Sequence, residues 1–282
     1  MAHLKEQLMK ILFLLSACSS ILSVVLICVF LFINGIPTIF NIGAIDFLFG
    51  TKWQPLNDLF GILPMIVGSI YVTAGAIIIG VPIGIVTAVY LVFFCSERVS
   101  RYLKPVVDLL AGIPSIVYGF FGLVVIVPML QQFFGGSGKG VLTASILLGI
   151  MILPTIIGIS EAALRAVPKN YYEGALALGA SHERSVFFVV LPAAKSGVLA
   201  SIVLGVGRAI GETMAVIMVA GNQAIIPDSI MSGVRTMTAN IVLEMGYASG
   251  IHRDALIATS VVLFVFILLI NLTFSALKGR KA

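Results

Sequence analysis

Six apolar segments, each long enough to cross a lipid bilayer, constrain this chain more than any other feature of its sequence. A spanning helix needs about 20 mostly apolar residues. The segments are residues 11–33, 63–94, 106–130, 141–160, 197–220 and 255–276. They lack the period-2 alternation of a membrane barrel strand, and only 10% of the 282 residues are charged, too few to cover a soluble globule. The sequence therefore predicts an all-α integral membrane protein with six transmembrane helices.

The basic residues lie mostly on one side of these six segments, which predicts the orientation of the chain. If the N-terminus is cytoplasmic, the inner side holds twelve bases: Lys5, Lys10, Arg98, Arg101, Lys104, Arg165, Lys169, Arg184, Lys195, Lys278, Arg280 and Lys281. The outer side holds four: Lys52, Lys139, Arg235 and Arg253. We therefore expect both termini in the cytoplasm. In a membrane protein the position of each charge matters more than the sum, so the net charge of +5 does not indicate a nucleic-acid partner.

Motifs of soluble catalysis are missing from the sequence. There is no H-E-x-x-H or G-x-S-x-G pattern. Residues 135–140 are glycine-rich like a phosphate loop, but Phe133 takes the place of its first glycine and Gly140 that of its Ser/Thr. We interpret this stretch as an outer turn, and we expect the chain to bind no nucleotide, metal or other cofactor. Three scattered cysteines, Cys18, Cys28 and Cys95, show no metal-ligand spacing.

Arg208 is the one basic residue inside a predicted span, about 16 Å from its start at a rise of 1.5 Å per residue. Glu212 follows four residues later, which places both on one face of a continuous helix. Charged groups at this depth either pair structurally or mark a transport pathway, and both interpretations are open. Glycines 205, 207 and 211 surround the pair and, like Gly80 and Gly84, favour close helix packing.

The planar guanidinium of Arg208 suits an oxyanion. A carboxylate beside it would repel a fully ionised anion, but it can accept a hydrogen bond from one that keeps a proton. Phosphate keeps a proton near neutral pH and sulfate does not. If the pair marks a transport pathway, Arg208 and Glu212 would contact substrate, and Glu212 would favour phosphate.

The long cytoplasmic segment 161–196 contains a second informative pattern, in helix-forming stretches that follow Pro168. The pattern E-A-A-x₃-G-x₉-I-x-L-P is matched at every spacing by Glu173, Gly174, Ala175, Gly179, Val189, Leu191 and Pro192, with Gly174 for the second alanine and Val189 for the isoleucine. This stretch resembles the EAA motif of bacterial ABC-importer permeases. In that family the motif docks on an ATPase subunit and couples its closure to the membrane.

Within that family the chain looks like a PstC-type phosphate permease over most of its length from residue 11. The stretches that carry the resemblance are Trp53–Pro55, Phe60–Pro64, Gly112–Gly119, Gly207–Val216 and Thr236–Ile241. PstA-type sister subunits share the Arg…Gly-Glu-Thr run. The Trp-Gln-Pro approach to the second span and Met-Ala-Val after Glu-Thr favour the PstC type.

The resemblance implies a type I ABC-importer permease fold, with residues 1–62 as an N-terminal helix and outer loop and residues 63–282 as the permease core. It implies a non-catalytic subunit of the bacterial inner membrane that pairs with a PstA-type permease. A PstB-type ATPase homodimer would carry ATP and Mg, and a PstS-type protein would deliver phosphate from outside. Arg208 and Glu212 match the charged positions that this family associates with phosphate translocation.

The outer loops at 34–62 and 221–254 are long, and we expect Ser229–Met245 to form a short helix at the outer surface. Either of two roles suits the polar residues of the second loop: Arg235, Thr236, Thr238 and Asn240 line an outer mouth, or they are ordinary solvated surface. Trp53 is either an interfacial anchor or a docking residue for the binding protein.

Three alternatives to phosphate import remain open from the residues alone. An ABC permease for sulfate or molybdate would use the same arginine. An ion-coupled secondary transporter would show inverted repeats or several intramembrane acids, and neither is evident. An intramembrane enzyme would need a buried nucleophile or metal site, and the predicted spans contain no histidine.

Overall fold

A computed structural model describes the backbone of residues 2–279 and the side chains of residues 5–273 and 276. Within this range it contains five helices that are long and apolar enough to cross a membrane, or six if a bent pair counts as one span. The spans cover Lys5–Ile42, Leu63–Phe94, Ser115–Phe134, Val141–Arg165 and Gly250–Thr273, with the bent pair at His182–Gly211. The predicted all-α fold is confirmed. The side chains of Lys278, Arg280 and Lys281, counted among the inner bases, lie outside the described residues.

The chain begins with one long helix and an outer hairpin. Helix α1 runs over Ala2–Ile42, packs against the last helix of the chain and is followed by α2, Ala44–Phe49. Strands β1 (Trp53–Gln54) and β2 (Leu59–Phe60) then pair antiparallel, with Trp53 opposite Phe60.

Helices α3 and α7 form the centre of the fold. Helix α3 runs over Leu63–Val89 and continues as a π-helical turn over Tyr90–Phe94, while α7 runs over Val141–Arg165. A Cβ atom on Gly80 would lie 2.8 Å from the carbonyl oxygen of Gly149, and one on Gly84 would lie 2.7 Å from Ile156 Cγ2. The predicted packing role of these two glycines is therefore confirmed.

The third span begins later than predicted. Helix α4, Glu97–Gly112, ends before Pro114, and the span is built from α5 (Ser115–Phe121), a π-helical turn (Gly122–Ile126) and α6 (Val127–Phe134). A residue that precedes proline is displaced from the helical region, and Ile113 is extended. The prediction of a continuous span over 106–130 is wrong because α4 is a separate amphipathic helix with a charged face.

The fifth span is broken at both of its ends. Helix α8 (Lys169–Ala177) precedes α9 (His182–Ser185), a π-helical turn (Val186–Val190) and α10 (Leu191–Ala193), and this stretch meets α11 (Lys195–Gly211) at 70°. Glu212 is extended, and α12 (Met214–Val219) starts a new helix. The predicted continuous helix over 197–220 is therefore wrong.

The chain ends with a short outer helix and a long spanning helix. Helix α13 covers Met237–Met245, a shorter piece than the predicted Ser229–Met245, and α14 covers Gly250–Gly279. A buried outer cluster joins the first and last parts of the chain: Phe47, Trp53, Phe60, Ile62, Met65, Met237 and Leu256 all belong to it.

Candidate functional site

Arg208 lies on α11 and faces α7. Its Nη1 donates a hydrogen bond of 3.2 Å to Thr155 Oγ1, and the side chain is half-buried. Among the described residues no carboxylate forms an ion pair with it. A structural ion pair therefore does not explain this cation within the chain.

Glu212 does not share a helix face with Arg208, because α11 ends at Gly211. Its Oε1 instead accepts a hydrogen bond of 3.2 Å from the backbone N–H of Ala215, one of the first-turn donors of α12 that have no intrahelical partner. Thr238 Oγ1 donates to the Glu212 carbonyl at 3.2 Å. The carboxylate therefore caps the helix beyond the break, directly after the helix that carries Arg208.

The glycines around Arg208 divide into two groups. A Cβ atom on Gly205 would lie 3.1 Å from Ile156 Cγ1, so this glycine packs on α7 as predicted. A Cβ atom on Gly207 or Gly211 would meet no described atom within 4 Å, so the predicted close packing does not occur there within this chain. One side of α11 beside Arg208 is therefore left uncovered by the described residues.

Glu161 contacts two basic side chains at the C-terminal end of α7, which is predicted to face the cytoplasm. Its Oε1 accepts hydrogen bonds from Arg165 Nε at 2.9 Å and from Lys104 Nζ at 3.1 Å. Lys104 thus finds its acidic partner on another helix. This contact ties amphipathic helix α4 to α7.

Glu244 has the same role at the outer end. Its carboxylate accepts hydrogen bonds from Arg235 Nη1 at 2.6 Å and from Trp53 Nε1 at 2.8 Å, and it contacts His252 Nε2 at 2.8 Å. Trp53 is only 7% exposed, so both sequence interpretations of it, as anchor and as docking residue, are wrong. Neither Glu244 nor His252 was predicted, since 191 residues separate Trp53 from Glu244 and no local pattern links them.

The four residues predicted at the outer mouth lie together, but three of them are buried. Arg235 Nη1 donates to Asn240 Oδ1 at 3.0 Å, and Thr236 Oγ1 lies 3.0 Å from Thr238 Oγ1. Thr236, Thr238 and Asn240 are at most 7% exposed, and Thr236 caps α13 by accepting from Ala239 N–H. These three residues are therefore not solvated surface in this chain, and the outer mouth stays a prediction.

The EAA-like residues lie where a glycine ends a helix. Glu173, Gly174 and Ala175 are on α8, and Gly179 follows with φ +86°. The N–H of Gly179 donates to Leu176 O at 2.9 Å, and the N–H of Ala180 donates to Ala175 O at 3.1 Å. This is a Schellman motif, whose left-handed position favours glycine. The alanine-to-glycine spacing of the pattern thus has a local physical cause.

The second half of the pattern lies at the bend of the fifth span. Leu191 and Pro192 form the first two residues of α10, where a proline is tolerated because the first N–H groups of a helix need no intrahelical acceptor. Leu191 packs against the buried cluster at the inner end of the helices. Glu173 and Gly174 are exposed, so this part of α8 is open to a partner.

His182 is a residue of this segment that the sequence did not reveal. Its Nδ1 lies 2.6 Å from Tyr172 Oη, and its Nε2 lies 3.1 Å from the carbonyl oxygen of Phe93 at the end of α3. A carbonyl oxygen only accepts, so Nε2 carries the proton and donates. The histidine therefore joins Tyr172 on α8 to the Phe93 carbonyl, in the π-helical turn that follows α3. In the described part of the chain no group of three or more potential ligands could hold a metal ion.

Curated relatives match nearly the whole chain. It is 37% identical over 277 residues to the probable ABC transporter permease protein YqgH of Bacillus subtilis, covering 95% of this chain and 90% of that protein. It is 34% identical to the phosphate transport system permease protein PstC of Pasteurella multocida, covering 80% and 77%. It is 30% identical to PstC 2 of Mycobacterium tuberculosis, covering 98% and 92%.

Solved structures support the fold. The chain superposes on an inward-facing methionine ABC transporter, MetNI, with a TM-score of 0.62 and 20% identity, covering 82% of this chain and 100% of that one. It superposes on a bacterial ABC transporter for alginate with a TM-score of 0.60 and 15% identity, covering 85% and 88%. Residues 80–280 match the family model of the binding-protein-dependent transport system inner membrane component. The chain is thus a multi-pass membrane permease and belongs to this family of transport components.

Proposed function

We propose that this chain is one of two membrane-spanning subunits of an ATP-driven importer of inorganic phosphate. The observation that carries the proposal is Arg208, a half-buried cation on a spanning helix with no described carboxylate partner. An arginine at this depth is costly unless it pairs or lines a wet pathway, and its planar donors suit an oxyanion. The similarity to phosphate permeases supports phosphate among the oxyanions.

Glu212 supports phosphate over sulfate and molybdate. One of its oxygens binds the Ala215 N–H, and the other has no hydrogen-bond partner among the described residues. That second oxygen can accept a hydrogen bond from the O–H that phosphate keeps near neutral pH, whereas sulfate has no O–H to donate. The break at Gly211 frees the Glu212 side chain from the helix, so it can turn toward an anion held by Arg208.

The segment around Glu173, Gly174, Ala175 and Gly179 is proposed to dock on an ATPase partner, with Leu191 and Pro192 at the bend that follows. The exposure of Glu173 and Gly174 supports this role, and so does the sharp turn at Gly179, which presents the end of α8. His182 connects the same segment to α3. Movement of the docked segment would therefore reach the spanning helices directly.

The proposed assembly contains a PstA-type permease, a PstB-type ATPase homodimer that binds ATP and Mg, and a PstS-type phosphate-binding protein. The uncovered side of α11 at Gly207 and Gly211 is the surface on which the sister permease would complete the pathway. ATP-bound ATPases would favour the outward-facing arrangement, because a ligand shifts an equilibrium toward the state it binds better. This subunit moves phosphate without changing it covalently.

The test is uptake by the four-component complex reconstituted in vesicles, with phosphate compared against sulfate. Arg208→Gln should abolish phosphate uptake while the complex still assembles. Arg253→Gln, at an exposed outer position, is the matched control and should transport normally. Glu212→Gln should reduce the preference for phosphate over sulfate. Normal uptake by Arg208→Gln would disprove the site, and uptake of sulfate in preference to phosphate would disprove the substrate.

A further inference from the structure

The hydroxyl of Thr155 bonds differently from most helical threonine hydroxyls of the spans. Four of those hydroxyls donate to the carbonyl four residues earlier, at 2.7–3.0 Å: Thr38 to Asn34, Thr87 to Ile83, Thr259 to Ala255 and Thr273 to Leu269. Thr143, in the first turn of α7, donates to the Gly138 carbonyl instead. Thr155 has no such bond among the described contacts and instead accepts from Arg208 Nη1. A hydroxyl has one proton to donate and two lone pairs, so this contact leaves the Thr155 proton unused.

The packing of α7 on α11 fixes Thr155 beside Arg208. The next residue of α7, Ile156, is fully buried, and its Cγ1 lies 3.1 Å from a built Cβ on Gly205. Pro154, on the other side of Thr155, is buried as well. The helix register is thus set by the neighbours of Thr155, while Thr155 itself is only half-buried and faces the arginine.

We infer that Thr155 is a further residue of the anion site, which orients the Arg208 guanidinium through its oxygen and donates its own proton to an oxygen of the bound anion. The inference rests on the proposed function and adds a neutral donor from a second helix. A fork of N–H donors next to one O–H donor would hold a tetrahedral oxyanion through two of its oxygens. The contact would also link α7 to α11 whenever the anion is bound.

The experiment compares two substitutions in the reconstituted complex. Thr155→Val keeps the shape of the side chain and removes the hydroxyl, while Thr155→Ser keeps the hydroxyl. A hydrogen bond to a charged group is among the stronger ones, so Thr155→Val should raise the KM for phosphate about tenfold or more. Thr155→Ser should stay within about twofold of the wild type. Thr87→Val, which removes an intrahelical hydroxyl contact elsewhere, is the control and should leave KM unchanged.

The outcomes separate this inference from the function on which it rests. An unchanged KM in Thr155→Val, or equal impairment in Thr155→Ser, overturns the role of the hydroxyl while leaving Arg208 and phosphate transport intact. If the wild-type complex takes up no phosphate, the proposed function fails first. Thermal melting of each purified complex completes the test: a raised KM in a Thr155→Val complex that melts like the wild type supports the inference, and a raised KM explained by loss of assembly counts against it.

Discussion

Replacing Glu244 by glutamine should destabilise the outer end of the protein by about 3–5 kcal/mol, the range for breaking a buried ion pair. The Glu244 side chain is 9% exposed, and its two oxygens face Arg235, Trp53 and His252. Arg235 and Trp53 are donors, and His252 is one when Nε2 carries its proton. A glutamine amide offers one accepting oxygen and directs its NH₂ group at another donor. At least one buried N–H would then lose its acceptor, and Arg235 would lose its counter-charge.

Trp53 is the single tryptophan of the chain, so its fluorescence reports on this cluster alone. In the purified chain in detergent, Glu244→Gln should shift the Trp53 emission to longer wavelength, increase its quenching by acrylamide and lower the melting temperature. The matched control is Glu6→Gln, because Glu6 forms an exposed pair with Lys10 whose contribution is well below about 1 kcal/mol. If Glu244→Gln leaves the emission and the melting temperature at the control values, the carboxylate does not hold the outer cluster together.

Two further substitutions, each with a control, test the packing of α3 on α7 and the hydrogen bonds of His182. Gly80→Ala should destabilise the protein by about 1–3 kcal/mol, because the added Cβ meets the Gly149 carbonyl oxygen at 2.8 Å. Gly158→Ala, a glycine of α7 with open space around it, should instead stabilise by about 0.5–1 kcal/mol in thermal melts, and equal shifts would contradict the packing. His182→Ala should speed amide hydrogen exchange in Tyr90–Phe94 and in α8, because it frees the Phe93 carbonyl and the Tyr172 hydroxyl. Arg184, an exposed neighbour, provides the control, and Arg184→Ala should leave exchange in both segments unchanged. Unchanged exchange in His182→Ala would refute the contact.

Hydrophobicity predicted the number of spans, whereas the breaks within them depended on features that hydrophobicity does not register. The sequence places Pro114 inside an apolar run, and the displacement of Ile113 from the helical region ends α4 there. Pro114 marks this break in the sequence, because the residue before a proline is disfavoured in a helix. The break after Gly211 has no comparable signal, because Glu212 and Thr213 leave the helix only in a context where the Glu212 carboxylate caps α12.

The site was predictable as a set of residues but not as an arrangement. Arg208 stood out because it was the one base inside a predicted span, and Gly179 because the pattern required it. Thr155 and His182 carry no such mark: each acts through a hydrogen bond to a residue 53 or 89 positions away. The packing of α7 on α11 brings Thr155 to Arg208, and the packing of α9 on the turn after α3 brings His182 to Phe93.

Within the described chain, buried charges form ion pairs at both ends of the helices, whereas Arg208, between those ends, forms none. Two carboxylates, Glu161 and Glu244, are buried, and each contacts two basic side chains, one carboxylate at the inner and one at the outer end. Arg208 lies between these ends, and its one side-chain hydrogen bond among the described residues is to the neutral hydroxyl of Thr155. A half-buried cation without a counter-charge attracts an anion more strongly than an exposed one, because it is partly desolvated. A fixed carboxylate beside Arg208 would compete with a substrate anion. On the proposed function, the missing counter-charge would therefore let a mobile anion bind and leave.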